Sequence, residues 1–393
     1  MKNLNKGSLL LLLLLVSHIV TAQDTLRLAH NEFLAIVKNY HPLAFRYRLQ
    51  TQIATAEIQA ARGEFDPMLQ AKTGSKTIDA LNYYEEKNIG LGIPTWYGIE
   101  LNGNYTSLEG DKLNNSDTKG GLYQFGITLP LAKNLLYDRR RALLDQARFG
   151  LQMTEAEQRL LTNQLLLDAD NAYWEWVKYY DAYQLQRQTF AINQQRLQFI
   201  RKTYEYGERA AIDTTEALSQ LQSFELQMED AYLKFVKATQ ELSLFLWKED
   251  QQPYDISSMI IPVDKITGSN AYDDYSALLL QIESQTITQH AALQYYFQKQ
   301  NILESERRLK FQSFLPKLDF TYNFFNKENY RAAYFPLFTD NYQYGLKLEI
   351  PLFLRQARAG YEIAKVKIRQ NRLDANYKQQ ELAAKITATR NEV

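Results

Sequence analysis

No cysteine occurs among the 393 residues, which removes a disulfide framework, a thiolate metal site and an N-terminal cysteine for acyl anchoring. Only four histidines are present, His18, His30, His41 and His290, and no His-Glu-x-x-His pair, Gly-x-Ser-x-Gly elbow or glycine-rich phosphate loop accompanies them. An enzyme is therefore not expected, nor a cofactor. The five methionines are scattered, so no soft site for copper or silver forms, and no metal site is expected. Lys and Arg together number 45 and Asp and Glu 45, a balance that gives nucleic acid no basic surface to bind. Beyond the N-terminus no apolar run approaches the roughly 18 residues of a membrane-spanning helix. Glycine (16) and proline (9) are scarce, which leaves few turns to interrupt long elements.

What is abundant is aromatic: 27 Tyr and 19 Phe, side chains that settle at membrane interfaces. The N-terminus carries an address. Lys2 and Lys6 precede an apolar run from Leu9 to Val16, and Val20-Thr21-Ala22 offers small-residue cleavage before Gln23, so residues 1–22 are read as a secretory signal peptide.

Residues 41–69 recur as residues 290–318 at a constant offset of 249 positions. His41/His290, Tyr47/Tyr296, Ile53/Ile302, Glu57/Glu306, Phe65/Phe314, Pro67/Pro316 and Leu69/Leu318 coincide. Each copy is a helical stretch that runs through Phe-x-Pro-x-Leu into a strand, and a long internal repeat predicts a pseudo-symmetric architecture. The paired His41 and His290 are read as helix starts. Between Leu131 and Gln252 there is no proline, and strong helix formers dominate. A first helix is expected from about Leu131 to Tyr206, roughly 110 Å at 1.5 Å per residue, with reversal at Gly207. A return helix is expected from about Ile212 to Trp247, with Leu218, Leu221, Phe224 or Glu225, Met228, Tyr232 and Phe235 as its apolar stripe. Arg139, Arg140, Arg141 and Asp145 are read as solvated faces or interhelical pairs.

Four segments alternate apolar with polar residues. Leu318, Phe320, Tyr322 and Phe324 alternate with Lys317, Asp319, Thr321 and Asn323. Tyr342, Tyr344, Leu346, Leu348 and Ile350 alternate with Gln343, Gly345, Lys347 and Glu349. Tyr123, Phe125, Ile127 and Leu129 alternate with Gln124, Gly126 and Thr128, and Tyr97, Ile99, Leu101 and Tyr105 with Gly98, Glu100, Asn102 and Asn104. Strands of this kind suit an outer-membrane barrel, apolar toward lipid and polar toward a lumen; a soluble antiparallel sheet with one wet face has the same period. An open sheet leaves its edges unpaired in lipid, so a barrel built from so few strands must close by oligomerisation.

Several motifs resemble those of the TolC-type outer-membrane efflux proteins, over essentially all of the chain after the signal peptide. Phe65-Asp66-Pro67-Met68-Leu69 and Phe314-Leu315-Pro316-Lys317-Leu318 resemble the family's helix-to-strand junction. Gly126-Ile127-Thr128-Leu129-Pro130-Leu131 and Leu346-Lys347-Leu348-Glu349-Ile350-Pro351-Leu352-Phe353 resemble its strand-to-helix junction. Tyr204-Glu205-Tyr206-Gly207, followed by Asp213, resembles the turn at its periplasmic helix tip. The resemblance implies an α+β, mainly α fold with an internal two-fold repeat, in which long antiparallel helical hairpins form an α-helical barrel and strands join a trimeric transmembrane β-barrel. It also implies a homotrimer with four strands per protomer, set in outer-membrane lipid and reaching into the periplasm. Its partners are then a periplasmic adaptor (membrane fusion) protein and an inner-membrane pump. Pro67, Pro130, Pro316 and Pro351 mark the helix-strand junctions, and Gly207, Arg209 and Asp213 fall where the family gates its tunnel. Asp213 is equally read as a cap of the return helix, with Glu216 completing a capping box.

The expected organisation is a signal peptide (1–22), a first repeat (23–249), an equatorial connector (250–277) and a second repeat (278–393). Two intervals depart from the family pattern. Pro67 to Pro130 is about 28 residues longer than Pro316 to Pro351, and the surplus is either an added hairpin or an extended external loop. Only 42 residues follow Pro351, so the last helix is expected to continue past Val393. The function implied is the outer-membrane duct of a tripartite efflux or type I secretion system. The alternative is a non-transporting periplasmic coiled-coil scaffold, or a truncated remnant of such a duct. A passive porin would share the barrel but has no use for helices of this length.

Overall fold

The computed structural model describes residues 27–114, 117–254, 260–263, 287–327 and 341–392. The signal segment and most of the connector lie outside the described residues. The elements in chain order are β1 (Arg27–Leu28), α1 (His30–Tyr40), α2 (Pro42–Gly63), β2 (Met68–Ile78), β3 (Leu81–Pro94), β4 (Glu100–Glu109), β5 (Gly120–Pro130) and α3 (Arg139–Glu205). There follow α4 (Ala211–Ser243), β6 (Ile261–Pro262), α5 (Ala291–Gln312), β7 (Lys317–Lys327), β8 (Tyr342–Glu349) and α6 (Arg355–Glu392). They fall in two compact units, residues 1–47 with 161–276, and residues 48–160 with 277–393.

In the first of these units α1, the C-terminal part of α3 and α4 enclose an aromatic core. Phe33, Tyr173, Trp176, Val177 and Leu242 have no exposed surface. Polar atoms carried into this core are paired, as burial demands: Tyr173 Oη donates to Leu28 O at 2.9 Å and Trp176 Nε1 donates to Thr239 Oγ1 at 3.0 Å. Parallel pairing of β1 with β6 closes one side of the cluster. The inward stripe of α4 is Ala217, Leu221, Phe224, Met228, Ala231, Phe235, Ala238 and Leu242, at alternating spacings of four and three. The stripe expected from sequence is thus corrected at two positions, since Leu218 and Tyr232 are exposed and Ala217 and Ala231 take their places. Alanine in a heptad seam lets two helices approach closely, so the small residues face the partner and the large ones flank the seam.

The repeat is realised residue for residue. Helix α2 spans 42–63 and α5 spans 291–312; β2 spans 68–78 and β7 spans 317–327, each pair at the offset of 249 read from the sequence. Both helices start alike: His41 Nδ1 accepts the Leu43 N–H and His290 Nδ1 accepts the Ala292 N–H, each at 3.2 Å. Burial pushes both imidazoles below their ordinary value; Lys378 adds to this at His290, and a backbone contact with Leu244 opposes it at His41. The caps work only with neutral imidazole. Their contribution is whole above the ordinary histidine value of about 6.5 and is lost as pH falls through the lowered folded values. Glu381, held at about 2 by Lys385 and Lys378, stays ionised throughout that window. The melting midpoint is therefore expected to fall between pH 7.5 and 5.5 by more in the native chain than in a His41→Asn/His290→Asn variant, whose caps do not titrate. Equal falls would remove the histidines from the pH dependence.

Helices α5 and α6 pack through Ala364, Ile368 and Asn371, with Asn371 Nδ2 donating to Tyr296 O at 3.1 Å. The first long helix starts at Arg139 rather than near Leu131. Leu131 and Lys133 instead prolong the β5–β7 ladder by donating to Leu318 O and Pro316 O. Asn134 then turns at φ +70°, and Asp138 Oδ1 accepts the Arg141 N–H at 2.8 Å to begin the helix. Arg141 fastens this elbow, donating to the carbonyls of Asn134, Leu135 and Leu136.

Candidate functional site: the two-faced sheet and the helix tip

Strands β2-β3-β4-β5-β7-β8 form one antiparallel sheet in that order. The resemblance implied four strands per chain; the described residues place six in this sheet, because the surplus of the first repeat is an added hairpin, β3–β4, inserted within it. The fourth expected strand also starts later, at Glu100, since Trp96 and Tyr97 belong to a turn closed by Thr95 N–H donating to Ile99 O with Gly98 at φ +81°.

Residues opposite one another in an antiparallel ladder share a face. One face of this sheet carries Leu69, Leu91, Gly103, Phe125, Phe324 and Tyr342 in a single row. The next row on it holds Ile93, Leu101, Ile127, Tyr322 and Tyr344. Aromatic neighbours reinforce the face, as where Tyr322 stacks on Tyr342 with centroids 5.9 Å apart. Its members are open to their surroundings: Phe125 is 52% exposed and Tyr344 68%.

The other face is polar. Its row of Met68, Gly92, Asn102, Gly126, Asn323 and Gln343 lies between a row of Gln70, Gly90, Asn104, Gln124 and Phe325 and a row of Pro94, Glu100, Thr128, Thr321 and Gly345. Glycine is needed at Gly126, where a Cβ would sit 2.3 Å from Asn323 Oδ1 and 2.7 Å from Asn102 Nδ2, so the two amides lean across it. Charges here pair with the opposite sign: Lys72 with Glu86 at 3.2 Å, Lys317 with Asp319 at 3.3 Å and Lys347 with Glu349 at 2.7 Å. Where β4 meets α3, Arg140 pairs with Glu100 at 2.8 Å. This face is the polar half of the alternation read from sequence, at Asn102, Asn104, Gln124, Gly126, Asn323 and Gln343; the closing of two amides over Gly126 was not legible there.

The polar row also shows slope. It starts at Met68, at the helix end of β2, and reaches Gln343, at the opposite end of β8. Such stagger is what strands tilted in a barrel require. β2 and β8 are the open edges, and β8 is exposed along its whole length.

The four prolines stand at the helix-strand boundaries. Pro67 and Pro316 immediately precede β2 and β7, Pro130 ends β5, and Pro351 follows β8. Without an N–H, proline continues neither helix nor ladder. The structure brings Pro130 and Pro316 together through the ladder extension at Leu131 and Lys133.

At the helix tip Gly207 adopts φ +78°. Glu208 N–H donates to Thr203 O and Gly207 N–H to Tyr204 O, the two bonds of a Schellman closure. Arg209 and Asp213 lie 3.6 Å apart on the exposed turn. The expected capping box is not formed: Ala210 is the N-cap of α4 and makes no side-chain cap bond, so Asp213 sits within the first helical turn. There its charge still favours the positive helix end. Among the described residues no helix is long and apolar enough to cross a membrane and no group of His, Cys, Asp or Glu is arranged for a metal ion.

A family model described as outer membrane efflux protein matches residues 46–246. No curated protein matches the chain. Among solved structures, it is similar to the outer membrane protein VceC of Vibrio cholerae (TM-score 0.57, 13% identity, 92% of this chain and 79% of that one). It is similar also to the CusC channel (0.55, 15%, 90% and 72%) and to the CmeC outer membrane channel of Campylobacter jejuni (0.53, 12%, 89% and 67%). At these identities the likeness is one of fold.

Proposed function

Since the chain belongs to the outer membrane efflux protein family, whose members are channels and not enzymes, we propose that it is the outer-membrane duct of a tripartite efflux or type I secretion system. Three copies assemble, their sheets closing into one barrel in outer-membrane lipid and their helices continuing as a tunnel in the periplasm. A periplasmic adaptor and an inner-membrane pump deliver the cargo, a small molecule or a polypeptide. The observation that carries this reading is the two-faced sheet: one apolar face across all six strands, aromatic on β4, β5, β7 and β8, one amide-rich face, and two open edges at the ends of a sloping register. A duct in lipid needs all three features, whereas a scaffold in water gains nothing from Phe125 or Tyr344 left open.

The test is trypsin applied to intact cells, followed by fractionation. The strands are expected to stay protected in the outer membrane; release of the chain with soluble periplasmic proteins would replace the duct by the scaffold reading.

Gly207, Arg209 and Asp213 form the gate at the tunnel's periplasmic end in this proposal. An exposed ion pair contributes about 0.2–1 kcal/mol, so Asp213→Ala should raise closed-state conductance in planar bilayers by up to roughly fivefold per chain. Unchanged conductance would take Asp213 out of the gate.

A further inference from the structure

The added hairpin sets the bore. Strand β3 pairs with β2 and β4 pairs with β5 along the lengths of the shorter strands, and the phase of all four agrees. Ile89, Leu91, Ile93, Leu101 and Tyr105 stand on the aromatic face, while Asn88, Gly90, Gly92, Asn102 and Asn104 stand on the polar one. A hairpin folded over the mouth as a lid would have no reason to keep this alternation in step with β2 and β5. Among the described residues the second repeat shows the arrangement without the insertion, because β7 pairs directly with β8 and these two strands stand where the first repeat has four. The hairpin thus widens the wall and covers nothing.

Resting on the trimeric duct proposed above, we infer that the barrel has eighteen strands, six from each chain, and that its lumen is an open aqueous passage sized for bulky cargo such as a polypeptide. Barrel diameter grows about linearly with strand number. Eighteen strands in place of the twelve that two strands per repeat would supply make the barrel roughly 1.5-fold wider and its cross-section about twofold larger. Although Leu122 and Phe325 also stand on the inward face, much of its middle carries little side chain. Gly90, Gly92, Gly126 and Gly345 contribute no side chain, and the amides beside them lie along the wall, as Asn102 and Asn323 do over Gly126. The ion pairs leave the wall without a dominant sign, so a mixed-charge chain meets neither a trap nor a barrier.

The experiment is an electron-microscopy reconstruction of the full chain in lipid nanodiscs, with strands counted in a section across the barrel. Eighteen strands are expected. A second protein, in which residues 79–119 are replaced by a two-residue turn joining β2 to β5, is expected to show twelve and to exclude from its barrel-side mouth neutral polymers that enter the native one. A native trimer with twelve strands and the hairpin outside the wall would overturn this inference while leaving the duct intact. A chain that inserts in no membrane would overturn both. Should the shortened protein fail to fold, the strand count of the native protein decides alone.

Discussion

Replacing Trp176 with alanine is expected to lower stability by about 3–5 kcal/mol, the range for removing a buried indole from a packed core. Trp176 is wholly buried where α3 meets α4, beside Tyr173 at 5.7 Å and Phe235 at 6.5 Å between ring centroids. Its truncation opens a void that Ala169, Ala238 and the closely approached backbones are too short to fill. It also strips Thr239 Oγ1 of its donor, although that hydroxyl keeps its own bond to Phe235 O at 2.8 Å. Trp176→Phe retains most of the ring volume and loses the hydrogen bond, so a loss nearer 1–2 kcal/mol is expected. Denaturant midpoints followed by helical circular dichroism separate the two. A loss below about 1 kcal/mol for the alanine variant would mean that the core relaxes around the gap and is softer than its burial implies.

Phe125→Arg is expected to reduce folded, membrane-inserted protein by a free energy of about 2–4 kcal/mol, the penalty for arginine on the lipid face of a barrel near the bilayer midplane. Gln124→Arg, one residue away on the polar face, should be nearly neutral. The contrast is the informative quantity. In a soluble sheet a charge at Phe125, already half exposed, would change stability within about 0.5 kcal/mol. Refolding of both variants into liposomes, read by the heat-dependent shift of folded barrels on gels, gives the comparison. Equal yields would place the aromatic face in water and remove the main support for a membrane duct.

The parts legible in the sequence are those in which period and punctuation agree. The 249-residue offset gives the bounds of α2, α5, β2 and β7 because Pro67 and Pro316 stop helices at equivalent places and the following alternation has period two. The Gly207 turn was legible because a left-handed residue between two long helical stretches is most easily glycine. Two misreadings share a cause, the weight given to large side chains. The α4 stripe was drawn through Leu218 and Tyr232, while the seam selects Ala217 and Ala231 because helices in close contact have room for a methyl group and not for a ring. The start of α3 was drawn at Leu131 because good helix formers run on unbroken. The Asp138 cap that begins the helix, with Asn134 turning before it, was visible in type but not in weight. Sequence alone leaves the surplus of the first repeat open between an added hairpin and an external loop because β4 alternates clearly, whereas the polar side of β3 holds Asn88, Gly90 and Gly92, residue types common in turns.

The two open edges make the final stage of folding a reaction of higher than first order. Among the described residues every other strand of the sheet completes its ladder within one chain, whereas in the proposed trimer the outer backbone groups of β2 and β8 find their partners on other copies. In that assembly a lone chain at low concentration is a sheet with two unpaired borders, whose closure depends on how often copies meet. The apparent stability of the sheet is then a function of protomer concentration. Dilution alone can unmake what neither heat nor denaturant has touched.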